Sequence, residues 1–402
     1  METKMKKNSL TPEQKQKMRR ERSFKIYWKV TAIFLAALLF VGVYLIFHKD
    51  KDYSETENRM LAQKPVFSLA NVASGKFMTD MESYVTDQFF ARDWQISLKL
   101  FEDSLLGKRE SNGVYIGKKD QLMEIPDTKD YPYVEDNLEA IRDFAGRQSG
   151  VNTVMTLVPN AAYICDQLLP ANAPVRDQGE DIERAKNVVS SSVNFVDVTE
   201  TLKSHKEEYI YYRTDHHWTS LGAKYTFEAL ADSLGIPNPA QSYTVYPVTH
   251  DFSGTLSAKS GYDKARDIID IYVPEGMDTS CVVNYVDEQK KSASIYSSKD
   301  LEERDKYEVF FGGNYSRIDI SRANEEKKNL LLIKDSYANC FVQFLLPYYR
   351  NIIIIDPRYY YDDIDKLVHD NEITDVLFLY NVNTFMEDNS LADVLAAEDG
   401  EQ

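Results

Sequence analysis

Two adjacent histidines directly follow an aspartate in the segment Tyr212-Arg213-Thr214-Asp215-His216-His217-Trp218-Thr219. Histidine is the side chain that most readily exchanges protons near neutral pH. A carboxylate within two residues of an imidazole can hold it in one tautomer and stabilise its cation. The segment therefore has the residue types of the acid/base half of a catalytic site, and such a site also needs a nucleophile.

Two other interpretations of Asp215-His216-His217 stay open at this stage. The residues could form a hydrogen-bonded turn that begins a helix, with Thr219 or Ser220 as its N-cap. Aspartate and histidine are also metal ligands. However, three consecutive residues rarely point at one ion, and His205 and His250 lie at no regular spacing from them. We therefore expect no metal.

The candidate nucleophile is Ser336, which follows the apolar run Leu330–Ile333 with two residues between. In open α/β sheets, ligands bind beyond the carboxyl ends of the strands. If Ser336 opens a helix there, its hydroxyl is exposed at the sheet edge, and the helix amides can stabilise an oxyanion beside it. The alternative is that Ser336 is only a helix N-cap.

Polar residues also follow two later predicted strands. Arg358 comes after Ile352–Ile355, and Asn381 comes after Val376–Leu379. Asn381 could donate to an oxyanion, whereas Arg358 could bind a carboxylate, orient a sugar or form a surface ion pair. Polar groups at three neighbouring strand ends favour a site at this edge over an isolated helix cap.

Strand-like and helix-like segments alternate along most of the chain. This alternation predicts an α/β fold with a mostly parallel sheet and flanking helices. Residues 240–325 mix aromatic, β-branched and polar residues with glycines, and we expect irregular strands and loops around the site there. Before the sheet, the apolar positions of two amphipathic helices, at 77–89 and 94–105, are expected to pack against the domain. The predicted strands are 114–116, 153–158, 193–198, 209–212, 330–333, 351–355 and 375–379.

An uncharged run from Val30 to Phe47 lies near the start of the chain. With the three residues 26–28 it reaches the length of about 20 residues that a bilayer-crossing helix needs. Residues 1–29 contain ten Lys or Arg against three Glu, a net charge of +7, whereas the 402-residue chain has −17 overall. Because basic flanks stay in the cytoplasm, we expect a single-pass membrane protein with its acidic bulk outside. A cleaved signal peptide is the alternative, but the apolar run is longer than a usual signal core and no small-residue cleavage site follows it. An acidic bulk also repels nucleic acid.

The segment 213–219, together with Phe252-Ser253-Gly254-Thr255 and Lys334-Asp335-Ser336-Tyr337, resembles the bacterial DHHW proteins. These are relatives of the alginate O-acetyltransferases, whose catalytic domain is SGNH-hydrolase-like. Supporting motifs are Glu57-Asn58-Arg59-Met60-Leu61, Asp87-Gln88-Phe89-Phe90-Ala91-Arg92, Val158-Pro159-Asn160 and Leu169-Pro170.

The resemblance implies a Ser-His-Asp triad of Ser336, His217 and Asp215. It leaves Asn381, Arg358, Tyr337, His216, Trp218 and Arg213 as candidates for oxyanion or substrate binding. Lys334 departs from the SGNH pattern, which usually has glycine there. The order is also circularly permuted, since Asp-His precedes Ser, but triads recur in different chain orders.

The resemblance further implies an O-acetyltransferase that acts outside the cell on a cell-envelope or exported polysaccharide through an acyl-serine. No cofactor is expected to be bound. The acetyl donor would be relayed across the membrane by a multipass membrane acyltransferase, because acetyl-coenzyme A is cytosolic. A carbohydrate O-acetyl esterase and a non-catalytic surface scaffold are the alternatives. The expected organisation is a cytoplasmic basic tail (1–26), a transmembrane anchor (27–48), a stem with amphipathic helices (49–110), an SGNH-like catalytic domain (111–386) and an acidic tail (387–402).

Overall fold

The computed structural model describes residues 11–54, 59–89, 92–126, 129 and 131–396. Its residues cluster into two compact units, one of which includes the described residues up to Leu98, while the other begins its main part at Lys99. In chain order the strands are β1 (Tyr53–Ser54), β2 (Arg59–Met60), β3 (Glu110–Ser111), β4 (Val114–Ile116), β5 (Leu122–Glu124), β6 (Asn152–Val158), β7 (Asn194–Phe195), β8 (Tyr243–Phe252), β9 (Asp267–Pro274), β10 (Val282–Tyr285), β11 (Lys290–Ser292), β12 (Arg317–Ser321), β13 (Asn329–Lys334), β14 (Asn351–Ile355) and β15 (Asp375–Asn381).

The α-helices range from one turn to a long N-terminal helix. They are α1 (Pro12–Phe47), α2 (Leu69–Ala73), α3 (Lys76–Asp87), α4 (Arg92–Leu105), α5 (Tyr133–Arg147), α6 (Ala161–Ile164), α7 (Gln178–Val189), α8 (Thr199–Ser204), α9 (Ser220–Leu230), α10 (Thr255–Ser260), α11 (Val342–Leu345), α12 (Ile364–Asp370), α13 (Val382–Glu387) and α14 (Leu391–Leu395). Short 3₁₀ turns occupy Lys118–Asp120, Asp166–Leu168, Ser298–Leu301, Lys306–Val309, Ser336–Asn339 and Leu346–Tyr348.

The second unit is built on an eight-stranded sheet in the order β11-β10-β12-β14-β13-β15-β6-β7. The five strands from β14 to β7 are parallel. The other three extend the sheet in antiparallel pairs. The predicted α/β class with a large central sheet is therefore confirmed, but the sheet is mixed. The region 240–325, expected to form irregular strands and loops, supplies most of the antiparallel part.

The central strands are buried on both faces. Leu330 and Leu332 of β13 lie in one hydrophobic cluster with helix α9, whereas Leu331 and Ile333 lie in a second cluster with helices α5 and α7. This assignment follows the two-residue repeat of a strand. Because both faces are covered, polar side chains from the sheet concentrate at the strand ends.

Two predicted features near the C-terminus differ from the structure. The helix expected to open at Ser336 is not a continuous α-helix, because Ser336–Asn339 is a 3₁₀ turn and the α-helix α11 begins only at Val342. Within residues 336–345, no long helix is therefore present whose dipole could stabilise an oxyanion at Ser336. The predicted acidic tail is packed as far as α14, where Leu391 and Leu395 are buried and the Asn137 side chain donates to the Asp388 carbonyl at 2.6 Å.

The first unit contains, within the described ranges, one helix long and apolar enough to cross a membrane. That helix, α1, begins at a capping box on Thr11 and runs unbroken through the basic segment into the apolar run. The two predicted amphipathic helices form as α3 and α4. Trp94, Phe101 and Leu105 of α4 are exposed.

Candidate active site

The segment that contains the two histidines is a tight loop closed like a hairpin. Tyr211 pairs with Trp218 in an antiparallel bridge, and the Tyr212 amide donates to the His217 carbonyl at 3.2 Å. The predicted extended strand at 209–212 is reduced to this single bridge. The loop places Asp215 and His217 together through the turn rather than through the alternation of an extended strand.

Asp215, His217 and Ser336 form a hydrogen-bonded series. The Asp215 Oδ1 atom lies 2.6 Å from His217 Nδ1 and also accepts the His217 amide at 2.9 Å. On the other side of the ring, His217 Nε2 lies 2.8 Å from Ser336 Oγ. Asp215 and His217 are buried, while Ser336 is partly exposed. The arrangement can move a proton from the serine hydroxyl to the imidazole while the carboxylate fixes its orientation.

The second oxygen of Asp215 is held by the start of helix α10. Oδ2 accepts the Thr255 amide at 2.8 Å and the Thr255 hydroxyl at 2.9 Å. Gly254 makes this approach possible, because a Cβ atom there would lie 2.7 Å from Asp215 Cγ and closer still to Cβ and Oδ2. The Phe252-Ser253-Gly254-Thr255 motif thus positions the Asp215 carboxylate.

Substitution of Gly254 by alanine is expected to displace Asp215 and lower ester turnover by about 10²-fold, a loss typical of small errors in catalytic geometry. The matched control is Gly146→Ala in helix α5, where the added Cβ would meet only Ser192 Oγ at 3.6 Å. The measurement is kcat/KM on an aryl acetate together with thermal unfolding. Equal activity of the two variants would show that Gly254 does not position the triad.

A buried aspartate from β9, missed in the sequence, holds the other end of the loop. Asp267 is fully buried and accepts the backbone amides of Arg213 at 3.0 Å and Thr214 at 2.7 Å. It also accepts the hydroxyls of Thr214 at 2.6 Å and Tyr209 at 2.5 Å. Arg213 has its Nε atom 3.5 Å from the same carboxylate, so this candidate binding residue contributes to the support of the loop.

Trp218 and Tyr337 join the two halves of the site. The Trp218 ring N–H donates to the Tyr337 carbonyl at 2.8 Å, and the Tyr337 hydroxyl donates to the His216 carbonyl. Both side chains are fully buried. The expectation that they bind substrate therefore does not fit the structure, in which they hold the histidine loop against the serine turn.

The His217 ring lies between two other rings. The Tyr307 ring stacks on it with centroids 3.9 Å apart, and the Tyr307 hydroxyl donates to the Ser336 carbonyl at 3.0 Å. The His216 ring lies at the same centroid distance, tilted by 36°. Burial lowers the pKa of His217 to about 4, the charge of His216 acts in the same direction, and Asp215 opposes both. His217 is therefore neutral near pH 7, the state in which it can accept a proton.

Asp215 is ionised near pH 7, as a residue that stabilises a catalytic imidazolium must be. Burial alone would raise its pKa, but the charges of His216 and His217 and the hydrogen bonds from His217 and Thr255 hold the pKa of Asp215 well below its usual range. Asp215 is thus ionised near pH 7. An ionised carboxylate beside a neutral imidazole stabilises the imidazolium that forms when the serine is deprotonated.

The two candidates at the later strand ends have other partners. The Asn381 side chain donates to the Val158 carbonyl at 3.1 Å and is buried, so its amide does not face Ser336 as an oxyanion donor. Arg358 binds Asp356 in a bidentate pair at 2.8 and 2.6 Å, and a substrate carboxylate would have to compete with Asp356. Ser336 is the strand-end candidate that meets His217.

Lys334, which replaces the usual glycine, is buried below the same edge. Its Nζ atom donates to Asn314 Oδ1 at 2.9 Å and lies 3.9 Å from Asp356 Oδ2. Burial lowers the pKa of Lys334 to about 8. The side chain therefore belongs to a buried polar cluster behind the nucleophile.

Asp215, His216 and His217 also bring metal-ligating atoms together, within 4.8 Å of one another. The expectation that three consecutive residues would not converge was therefore wrong. However, both ring nitrogens of His217 already have partners in Asp215 and Ser336. A metal bound through His217 would have to replace one of these hydrogen bonds, so the donor set fits the proton-transfer series better.

The family model described as DHHW protein matches residues 171–355, which contain all three members of the series. The chain therefore contains a DHHW family domain. A DHHW family protein from Eubacterium siraeum has a similar structure, with a TM-score of 0.62 at 25% identity over 72% of this chain and 97% of that chain.

Two further solved structures resemble this chain. Bacillus cereus PatB1, determined with a sulfonyl adduct, gives a TM-score of 0.58 at 23% identity over 68% of this chain and 95% of that one. The O-acetyltransferase domain of Pseudomonas putida AlgJ gives 0.44 at 16% identity, over 70% and 94% of the two chains. The PatB1 likeness shows a shared fold. No curated protein sequence matched the chain.

Proposed function

We propose that this protein is an O-acetyltransferase that acts outside the cell on a cell-envelope or exported polysaccharide. The observation that carries the proposal is the continuous series from Asp215 through His217 to Ser336, with distances of 2.6 and 2.8 Å. The alignment of carboxylate, imidazole and hydroxyl is that of acyl-transfer enzymes with a serine nucleophile. The resemblance of the sequence motifs to those of the alginate O-acetyltransferases supports an acetyl group as the acyl group.

The first half-reaction loads the serine. Ser336 Oγ attacks the carbonyl carbon of an acetyl donor while its proton passes to His217 Nε2. The bond from that carbon to the donor oxygen then breaks, and His217 returns the proton to the leaving oxygen. The product is an acetyl ester on Ser336, with Asp215 stabilising the imidazolium in between.

The second half-reaction transfers the acetyl group from Ser336 to the acceptor. A sugar hydroxyl gives its proton to His217 Nε2 as its oxygen attacks the acetyl carbon. The ester bond to Ser336 Oγ breaks, and Oγ takes the proton back. Atoms and charge balance without any oxidant or further cofactor. Because acetyl-coenzyme A is cytosolic, the donor must be relayed across the membrane, and a multipass membrane acyltransferase is the partner of the required kind.

The location rests on α1 and the charge on either side of its apolar run. A basic cytoplasmic head, one crossing of the bacterial cell membrane and an external domain agree with the positive-inside rule. Protease added to intact cells is the direct test of this part. It should digest residues 49–402 and spare the head, whereas protection of the acidic part would contradict the topology.

An acetylated oligosaccharide donor, incubated with the full-length protein and a second, unacetylated oligosaccharide, tests the function. Movement of acetyl to the second sugar supports the transferase, while release of acetate alone indicates a carbohydrate esterase with the same triad. No acetyl loss from any donor or aryl ester would favour a non-catalytic scaffold.

The activity should persist into acidic conditions. His217 must be neutral to accept the serine proton, and burial holds its pKa at about 4. We expect the acidic limb of kcat/KM for an aryl acetate to have its midpoint below pH 5, compared with about 6.5 for an ordinary imidazole. Circular dichroism at each pH controls for unfolding. A midpoint at 6.5 or above, with the fold intact, would contradict the neutral, buried base.

A further inference from the structure

One aromatic side chain contacts both the base and the nucleophile of the triad. Tyr307 lies in the short turn Lys306–Val309. Its ring stacks on the His217 imidazole with centroids 3.9 Å apart and planes 15° apart. Its hydroxyl donates to the Ser336 backbone carbonyl at 3.0 Å. The proton transfers proposed above give Tyr307 no part, so these two contacts need an explanation of their own.

The Tyr307 hydroxyl is a hydrogen-bond donor and not a proton carrier. Burial raises the pKa of Tyr307 well above its ordinary value, so the hydroxyl stays protonated near pH 7. Its partner is the backbone carbonyl of Ser336, whereas the reacting Oγ atom of that serine bonds His217. Tyr307 therefore affects the reaction through the groups that it holds.

The Tyr307 ring is itself fixed by two other aromatic rings. Phe310 meets it at 61° with centroids 5.4 Å apart, and Tyr212 meets it at 81° with centroids 6.2 Å apart. All three side chains are buried, and side chains in a close-packed interior keep their rotamers. Because Tyr212 belongs to the histidine loop, the Tyr307 ring has a fixed place relative to that loop.

The stacked ring removes a freedom that the hydrogen bonds of His217 leave open. The imidazole is bonded at its two nitrogens, to Asp215 at 2.6 Å and to Ser336 at 2.8 Å. A planar ring held at two points can still tilt about the axis that joins them. A nearly parallel ring in van der Waals contact blocks this tilt on its side and keeps water from that face.

The hydroxyl acts on the other partner of the proton transfer. Ser336 begins the 3₁₀ turn Ser336–Asn339 directly after β13 and Asp335. A hydrogen bond to the Ser336 carbonyl fixes the peptide plane that follows this residue. It thereby limits the movement of the Cα atom that carries the nucleophilic hydroxyl.

We propose that Tyr307 is a positioning residue that sets the distance between His217 and Ser336. Its ring fixes the plane of the imidazole, and its hydroxyl fixes the backbone of the nucleophile. The inference rests on the proposed function in that Ser336 must react. Since displacement of catalytic groups by about 1 Å can cost about 10²-fold in rate, a side chain that contacts both groups has a large effect on the reaction.

Two substitutions separate the ring from the hydroxyl. Tyr307→Phe keeps the stacked ring and removes the hydroxyl, whereas Tyr307→Leu removes both. The readout is labelling of Ser336 in the full-length protein by an aryl sulfonyl fluoride, resolved into the maximal rate constant and the half-saturating reagent concentration. Because Tyr307 is buried behind the two reacting groups, the half-saturating concentration should stay unchanged.

We expect the maximal labelling rate to fall about 3- to 10-fold in Tyr307→Phe, the effect of one lost hydrogen bond, and about 10²-fold in Tyr307→Leu. The matched control is Tyr285 on β10, which is also buried and whose hydroxyl donates to the Phe311 carbonyl at 2.9 Å. Tyr285→Phe and Tyr285→Leu should lower the thermal unfolding temperature as the Tyr307 variants do, yet keep the wild-type labelling rate.

A wild-type labelling rate in either Tyr307 variant overturns the proposal, and so does an equal loss of rate in the Tyr285 variants. If Tyr307→Leu does not fold, the comparison of Tyr307→Phe with Tyr285→Phe decides alone.

Failure of the proposed function gives a different pattern, in which the wild type itself is not labelled. The position of His217 is then read from the low-field proton resonance of its Nδ1–H, which lies between the ring and Asp215 and is assigned by its loss in His217→Ala. This resonance should persist in Tyr307→Phe and disappear in Tyr307→Leu, where water reaches the ring and exchanges the proton. Its persistence in Tyr307→Leu overturns the role of the ring.

Discussion

Ser336→Ala is expected to lower ester cleavage by at least about 10³-fold, because removal of the nucleophile leaves only the contributions of substrate binding and electrostatics. The same substitution should abolish covalent labelling by a serine-directed sulfonyl fluoride. Ser336 Oγ contacts His217 at the partly exposed edge of the site, so the thermal unfolding temperature should change little.

The control for Ser336→Ala is a serine outside the site. Ser190 follows helix α7, is exposed and bonds the Lys186 carbonyl of its own helix. Ser190→Ala should leave both labelling and turnover unchanged. If Ser336→Ala is still labelled at the wild-type rate, the nucleophile is another residue and the acyl-serine mechanism fails.

Asp215→Asn is expected to reduce turnover by about 10⁴-fold, since an amide in place of the carboxylate favours the wrong imidazole tautomer. The buried carboxylate accepts hydrogen bonds from the His217 amide and ring and from the Thr255 amide and hydroxyl. An asparagine would turn its NH₂ group toward some of these donors, so the free energy of unfolding should also fall by about 1–3 kcal/mol. Both are measured by aryl ester kinetics and urea denaturation.

The two histidines provide the comparison for Asp215→Asn. His217→Ala should lose at least as much ester turnover as Asp215→Asn, because Asp215 acts through this base, whereas His216→Ala should retain much more. Retention of more than a tenth of the activity by Asp215→Asn would contradict its orienting role. Equal losses at both histidines, with recovery on addition of zinc, would instead favour a metal site formed by Asp215, His216 and His217.

The parts of the site that could be predicted from sequence are those with local signals. Asp215 and His217 lie two residues apart, and Ser336 lies at the end of an apolar run that forms a buried strand. Strands such as Asn351–Ile355 were predicted at their observed bounds because their apolar runs are short and continuous. The alternation of strands and helices likewise gave the correct fold class.

The remaining parts depend on contacts between distant residues. No local pattern indicates that Asp267 supports the loop at Arg213 and Thr214, or that Tyr307 stacks on His217. Trp218 and Tyr337 were candidates for oxyanion or substrate binding because they lie in the motifs that carry the family resemblance, yet their side-chain donors bond backbone carbonyls across the site.

The strand order of the central sheet determines which fragments of this chain can be produced in stable form. The family match ends at residue 355, so it includes β13 and β14 but neither β15 nor β6. In the folded protein β15 pairs with β13. The backbone N–H of Asn381, at the end of β15, donates to the side chain of Asp335 beside the nucleophile at 2.9 Å. A fragment of residues 171–355 would expose the edge of the strand that carries Ser336, and an uncovered apolar edge invites aggregation. Recombinant expression should therefore retain the chain from before β6 to the end of α14.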